Sequence, residues 1–346
     1  MKNILVTGGA GYIGSHVVVK LHEHGYNPII IDDFSNSQHS VIQGIKNITG
    51  KDFKVYEGDI LDQSLLKKIF GNHKIEGIIH FAAKKAVGES VEKPLYYYKN
   101  NVSGLVSLLE VVKEFNVKNL IFSSSCTVYG QPDKLPVTEE TPKKPANSPY
   151  GNTKQIGEEI IEDTINSGTT LKAIALRYFN PIGAHPSSEI GELPLGTPNN
   201  LVPFITQTAA GLRDSLTVFG DNYDTPDGTC IRDYIHVMDL ADAHVRCIEY
   251  LEVENSDQHF DVLNIGTGRG NTVLEVINAF ESVSGLKLNF KIGDRRAGDV
   301  EQIFAQVDKS RQILKWETQH SLTEAMRDSW KWQQKLSNKS SSDSVS

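Results

Sequence analysis

Tyr150 and Lys154 stand four residues apart in the stretch Ser148-Pro149-Tyr150-Gly151-Asn152-Thr153-Lys154. On a helix beginning at Pro149 that spacing puts both side chains on one face, one turn apart. A phenol with an ordinary pKa near 10 is roughly 0.1% ionised at pH 7 and makes a poor general base. An ammonium about 6 Å away, at an effective dielectric near 20, is worth about 3 kcal/mol, or about two pKa units, which predicts a tyrosine drawn toward the working range of a base. The plainer alternative is an exposed tyrosine and a solvated lysine on an ordinary amphipathic helix. The four-residue pattern alone does not choose between them, and the residues upstream do.

Residues 4–7 form a short apolar run that reads as a buried strand. Gly8-Gly9-Ala10-Gly11-Tyr12-Ile13-Gly14 follows it directly and opens a helical pattern that runs to about Gly25. Gly8 permits a tight turn, Gly11 lets backbone approach a pyrophosphate, and Gly14 lets helix and strand pack closely. The free N–H groups and positive end of the helix then face the phosphates. A second strand, 28–31, ends at Asp32, eighteen residues beyond Gly14. A carboxylate there accepts hydrogen bonds from ribose hydroxyls and repels a 2′-phosphate, which predicts NAD rather than NADP.

Further strands are expected at 53–56, 77–81, 119–122 and 171–178, with a long helical pattern over 90–116. Asp59, after the third, either hydrogen-bonds an adenine or caps the next helix. Ala82 and Ala83, after the fourth, leave room for a cofactor at a strand's carboxyl end, where ligands of such sheets gather. Ser123-Ser124-Ser125 leaves the fifth strand, so Ser125 either points its hydroxyl into the cleft near Tyr150 or belongs to a polar loop. The alternation of strands and helices predicts an α/β fold, a Rossmann-like doubly wound parallel sheet, over residues 1–180.

From 181 to about 335 the pattern becomes irregular, broken by Pro181, Pro186, Pro194, Pro198 and Pro203. Strands at 262–265 and 286–291 look isolated, so a smaller C-terminal α/β substrate domain that caps the cleft is expected rather than an extension of the sheet. Arg232, Arg295 and Arg296 offer planar forks suited to phosphate, or pair with Asp233, Asp294 and Asp299. The serine-rich segment 336–346 is expected to be a disordered tail.

The chain has 346 residues, 39% hydrophobic and 23% charged, with a net charge of -8. That composition fits a soluble enzyme and argues against nucleic acid or an anionic membrane as the main partner. Cys126, Cys230 and Cys247 fit no metal or disulfide spacing, no metal cluster is evident, and no apolar run approaches a membrane span. A reducing, cytoplasmic location is expected.

Four stretches carry a resemblance to the extended short-chain dehydrogenase/reductase superfamily and, within it, to the UDP-sugar 4-epimerases: Val6-Thr7-Gly8-Gly9-Ala10-Gly11-Tyr12-Ile13-Gly14-Ser15-His16, Ser124-Ser125-Cys126-Thr127-Val128-Tyr129-Gly130, Arg177-Tyr178-Phe179-Asn180-Pro181-Ile182-Gly183-Ala184-His185-Pro186 and Arg232-Asp233-Tyr234-Ile235-His236-Val237-Met238-Asp239-Leu240. The likeness runs from Met1 to about Trp332. It implies a catalytic triad of Ser125, Tyr150 and Lys154, in which Tyr150 takes the proton of the sugar's 4-hydroxyl while hydride leaves C4 and later returns to its other face. NAD contacts implied by position are Gly8, Gly11, Tyr12, Ile13, Gly14, Asp32, Asp33, Phe34, Ser35, Asn36, Ser37, Asp59, Ile60, Phe81, Ala82, Ala83, Lys85, Asn100 and Phe179, with Tyr150 and Lys154. UDP and sugar contacts are Tyr178, Asn180, Asn200, Leu201, Thr217, Val218, Phe219, Arg232, Arg296 and Asp299, the two arginines meeting the diphosphate. Ile303 stands where the family limits the pocket near the sugar's C2 group and is intermediate in size.

The implied activity is interconversion of UDP-glucose and UDP-galactose, with an epimerase of UDP-N-acetylhexosamines or another nucleotide sugar as the alternative. A 4,6-dehydratase on the same fold needs an acid and a base beside the serine, where this chain has Cys126-Thr127-Val128. A regulator that binds NAD without turnover has no need of the complete triad. The resemblance further implies a homodimer through helices 90–116 and 150–168.

Overall fold

Parallel strands buried on both faces require continuous apolar runs, and Ile29-Ile30-Ile31, each at most 1% exposed, is one of them. The computed structural model describes residues 1–253, 259–296 and 299–343. Its first half alternates β1 (Asn3–Thr7), α1 (Tyr12–Glu23), β2 (Asn27–Asp32), α2 (His39–Thr49), β3 (Lys54–Glu57), α3 (Gln63–Asn72) and β4 (Ile75–His80). Two short helices, α4 (Val87–Glu92) and α5 (Pro94–Tyr97), then lead through a π-helical segment, Tyr98–Ser103, into α6 (Gly104–Glu114) and β5 (Asn119–Ser123). After a 3₁₀ turn, Cys126–Tyr129, come α7 (Pro149–Asn166) and β6 (Lys172–Tyr178).

The second half contains β7 (Asn180–Ile182), α8 (Leu201–Ala209), β8 (Leu216–Phe219), β9 (Ile231–Arg232), β10 (Tyr234–His236), α9 (Val237–Val253) and β11 (Phe260–Ile265). It closes with β12 (Asn271–Thr272), α10 (Val273–Ser284), β13 (Phe290–Gly293), β14 (Gln302–Ile303), α11 (Asp308–Leu314) and α12 (Leu322–Asp343).

Seven parallel strands form one sheet in the order β11-β6-β5-β4-β1-β2-β3. The chain reverses direction across the sheet between β1 and β4, which opens a crevice at their carboxyl ends. One apolar layer joins Val17, Val18 and Leu21 of α1 to Leu240, Val245 and Ile248 of α9. On the opposite face Leu66 and Ile69 of α3, Leu105 and Leu108 of α6 and Ile161 of α7 form the other. A further cluster, including Val202, Val218, Ile277, Phe280 and Met326, holds α8, β8, α10 and α12 together.

Four expectations need correction. Residues 262–265 are not isolated: β11 pairs with β6 from Phe260↔Ala173 to Ile265↔Tyr178 and makes the seventh strand of the sheet. The pattern at 90–116 is not one helix, because Pro94 lacks an N–H and forces Lys93 off the helical region, to φ -128 and ψ 56. The expected tail begins inside α12, which runs on to Asp343, and residues 344–346 lie outside the described residues. The strand expected at 286–291 starts later, at Phe290, and pairs with β8.

Candidate active site

α7 starts where its sequence dictates. Ser148 caps it by accepting the Gly151 N–H at 3.2 Å, and Pro149 occupies the first helical position, where no donor is needed. Gly157 lets the helix settle on β5, since a Cβ there would lie 2.6 Å from Phe122 Cζ. Tyr150 and Lys154 are thereby both buried, 8% and 4% exposed, above the end of β5. The three serines leaving that strand have separate partners. The Ser123 carbonyl accepts Lys154 Nζ at 2.5 Å, and the Ser123 hydroxyl meets the Tyr178 hydroxyl at 2.7 Å. Ser124 donates to Glu158 Oε1 at 2.6 Å, and Ser125 hydrogen-bonds Tyr150.

The electrostatics run against the expectation of a tyrosine activated by lysine alone. Burial pushes the Tyr150 phenol well above its ordinary value, and the Ser125 hydrogen bond only partly offsets this. Burial likewise draws the Lys154 ammonium down to about 8, opposed by Glu158. Lys154 Nζ lies 5.9 Å from the Tyr150 ring centroid with its proton directed to the Ser123 carbonyl. Desolvation of both groups therefore outweighs their mutual interaction.

The glycine turn borders the same cleft. Gly8 has φ +71, and a Cβ there would lie 2.9 Å from Ala82 N, so the turn after β1 touches the exit of β4. A Cβ at Gly14 would lie 2.2 Å from the Gly8 carbonyl oxygen, whereas one at Gly11 meets that oxygen alone, at 3.1 Å. Gly11 precedes α1 without a side-chain cap, leaving N–H groups of the first turn for an anion. The residues present thus fit a dinucleotide's pyrophosphate. Beside the turn, Asp32 accepts Ala10 N at 2.9 Å, Phe34 N at 3.0 Å and the Ser37 hydroxyl at 2.8 Å, which leaves part of its acceptor capacity for a ribose. Phe34, at φ 53, stacks on His39, and Asp33 accepts the Ser35 hydroxyl at 2.6 Å, with Asn36 in the same loop.

Asp59 caps no helix: it accepts Leu61 N at 2.9 Å, and Asp62 caps α3 through Ser64 and Leu65. Ile60 is buried against the core, and Phe81, Ala82, Ala83 and Lys85 follow β4. Tyr12 turns its hydroxyl to the Gly183 carbonyl at 2.7 Å, next to Ile13. Asn100 donates to Asn101 at 2.9 Å. Asn101, overlooked in the sequence, is 6% exposed and bonds both Lys84 backbone groups and Thr153, tying the β4 exit to α7. Its signal was only a polar residue inside an apolar helical pattern.

A second group gathers on β8, β9 and the segment after β13. Asp299 Oδ1 accepts Arg296 Nη2 at 2.6 Å and stands 4.0 Å from Arg232 Nη2, so one carboxylate collects both arginines. Arg296 also lies over the Phe219 ring, 5.7 Å from its centroid. Thr217 and Phe219 point outward from β8, while Val218 is buried, so only its backbone is free to meet a ligand. Among the described residues Asp233 pairs with no arginine; it accepts Thr267 N and Gly268 N at 2.8 and 3.1 Å and Ala305 N at 3.2 Å. Arg295 joins Asn222 instead, stacked 4.0 Å over Tyr223.

Ile303 on β14 pairs in register with Arg232 and is enclosed among Val128, Tyr129, Val137 and Phe179. Asn180 bonds through its N–H to the Asp233 carbonyl at 2.9 Å. The two groups meet at Glu192, whose Oε1 accepts Asn200 Nδ2 at 2.6 Å, beside Leu201 at the start of α8, and lies 3.4 Å from Lys85 Nζ.

Known proteins resemble this chain in sequence and fold along nearly its whole length. The family described as GDP-mannose 4,6 dehydratase matches residues 5–329. The UDP-glucose 4-epimerase of Schizosaccharomyces pombe is 50% identical over 339 residues, covering 96% of this chain and 94% of that protein. That of Bacillus subtilis is 48% identical over 330 residues, covering 95% and 96%. The UDP-glucose 4-epimerase from Stenotrophomonas maltophila, solved with bound NAD and formylated UDP-arabinopyranose, superposes with a TM-score of 0.95 at 45% identity over 98% of this chain and all of that one. The Bifidobacterium longum enzyme in complex with NAD+ and UDP gives 0.93 at 43% identity, over 97% and 99%. With identity this high along nearly the full length of both partners, the chain belongs to the UDP-glucose 4-epimerase family.

Proposed function

We propose that the protein interconverts UDP-glucose and UDP-galactose by reversible removal and return of hydride at the sugar's C4, using NAD. The observation that carries this is the convergence of Ser125, Tyr150 and Lys154 on the carboxyl ends of strands that also present the Gly8–Gly14 turn. NAD, when bound, supplies a hydride acceptor and donor and, oxidised, a positive charge. Tyr150 receives the 4-hydroxyl proton at Oη and later returns it, so one side chain serves as base and acid. Ser125 holds the 4-oxygen, and Lys154 stays fixed to the Ser123 carbonyl, its positive charge favouring the phenolate.

Arg232 and Arg296 take the diphosphate in exchange for Asp299, with Phe219 beside it. Binding energy from this remote, unreacting part of the substrate anchors it while the sugar turns. Cys126-Thr127-Val128 offers no carboxylate for eliminating water, which separates this chain from a dehydratase.

The test is to incubate the purified protein with UDP-galactose and, in parallel, UDP-N-acetylgalactosamine, without added NAD. Formation of UDP-glucose shows isomerisation by retained cofactor; no conversion of either sugar would overturn the reading. The protein works as a homodimer in the cytosol. Val91, Leu95, Tyr96 and Val106, 61, 81, 46 and 38% exposed, give α4, α5 and α6 an apolar surface that a second copy covers, and the three thiols are unpaired. Sedimentation at micromolar concentration should return twice the chain mass, and a monomer would contradict this.

A further inference from the structure

Of the three serines at the β5 exit, Ser124 is fully buried and donates to Glu158. Glu158 follows Lys154 by one helical turn on α7, is 2% exposed, and has no part in the chemistry described above. Arg177 of β6 grips its carboxylate with two bonds, Nε to Oε1 at 2.9 Å and Nη2 to Oε2 at 2.7 Å. Arg177 also donates to the Tyr129 hydroxyl at 3.1 Å and the Glu139 carbonyl at 3.2 Å. The pair therefore connects α7, β6, the turn after Ser125 and the loop before α7. Buried ion pairs are poor stabilisers, since apolar side chains of equal volume often do as well or better. Here Glu158 sits one turn from Lys154, and the Ser124 that donates to it is next to Ser125, which calls for a role other than stability.

We propose that Glu158 is the positioning residue of the triad: through Ser124 it sets the turn that aims Ser125 at Tyr150, and along α7 it presents a fixed negative charge to Lys154. Lys154 otherwise faces Tyr150 of its own helix, the Ser123 carbonyl, and His80 of β4, drawn down to about 3 by burial and then by Lys154 itself. Glu158 faces Arg177, Tyr129 behind it, and Lys143, whose Nζ is 3.6 Å away. Among these groups Glu158 is the one that opposes the loss of the Lys154 proton. Its removal should release that proton at lower pH.

The inference rests on the triad assigned under Proposed function, and the experiment separates the two. kcat, KM and the pH profile of kcat are measured for Glu158→Gln, for Glu158→Gln combined with Arg177→Gln, for Ser124→Ala and for Tyr150→Phe. Glu158→Gln should lower kcat about tenfold with little change in KM and move the alkaline midpoint down by about one pH unit. The double variant leaves no buried arginine unpaired and should keep both changes even where it regains thermal stability. Ser124→Ala, which retains the ion pair, should lower kcat and leave the midpoint in place. Wild-type kcat and midpoint in either Glu158 variant, or wild-type kcat in Ser124→Ala, would overturn the inference while an inactive Tyr150→Phe left the function standing. An active Tyr150→Phe would overturn both.

Discussion

Tyr150 keeps its proton more tightly than a free phenol does, because burial raises it further than Ser125 lowers it. In the proposed reaction, service as a base therefore depends on charge that arrives with the cofactor, in addition to Lys154. Tyr150→Phe should reduce turnover by about 10²–10⁴-fold with circular dichroism unchanged, and turnover within about twofold of wild type would contradict the assignment. The placement of Tyr150 and Lys154 on one helix, with Ser125 beside them, was legible from spacing and from position after a strand. The sign of the phenol's shift was not, because desolvation is a property of the packed helix and of no residue pair. Glu158 was missed for a related reason: beside Glu159 it reads as one more charge on a solvated face, and its signal was only the four-residue step from Lys154.

Among the elements, the β1 turn and α1 were the most legible, because the constraints there are steric and admit glycine alone. A methyl group at Gly14 would press on the Gly8 carbonyl oxygen at 2.2 Å and the Gly9 Cα at 2.9 Å, both backbone atoms that cannot rotate away. Gly14→Ala should lower the Tm by several degrees, consistent with a strain of about 1–3 kcal/mol, and should reduce the NAD that copurifies. Unchanged Tm and full NAD content would remove the close packing from the account. The break at Pro94 was written in the sequence, yet the helical periodicity on either side concealed it. β11 was not legible, since a strand that joins the sheet beside β6 declares its partner only when the chain returns from α9.

At the scale of the molecule, burial keeps several histidines neutral. His16 and His80 are pulled down to about 3 and His244 to about 4, from an ordinary 6.5. A group whose folded pKa is depressed binds its proton first in the unfolded chain. The stability it contributes is therefore complete above about 6.5 and is lost as pH falls toward the folded values. The Tm should hold near pH 7 and above and decline as pH is lowered through about 6 to 5; a flat profile across that range would contradict the burial.

The hold of Asp299 on both arginines was not legible, because it depends on contacts between segments far apart in sequence, Arg232 and Arg296. In the proposed reaction hydride leaves C4 and comes back to the same carbon. It is tested most directly by converting UDP-galactose deuterated at C4 in ordinary water and reading the product by mass spectrometry and NMR. Deuterium retained at C4 of UDP-glucose is the expected result; its loss to solvent would contradict the account.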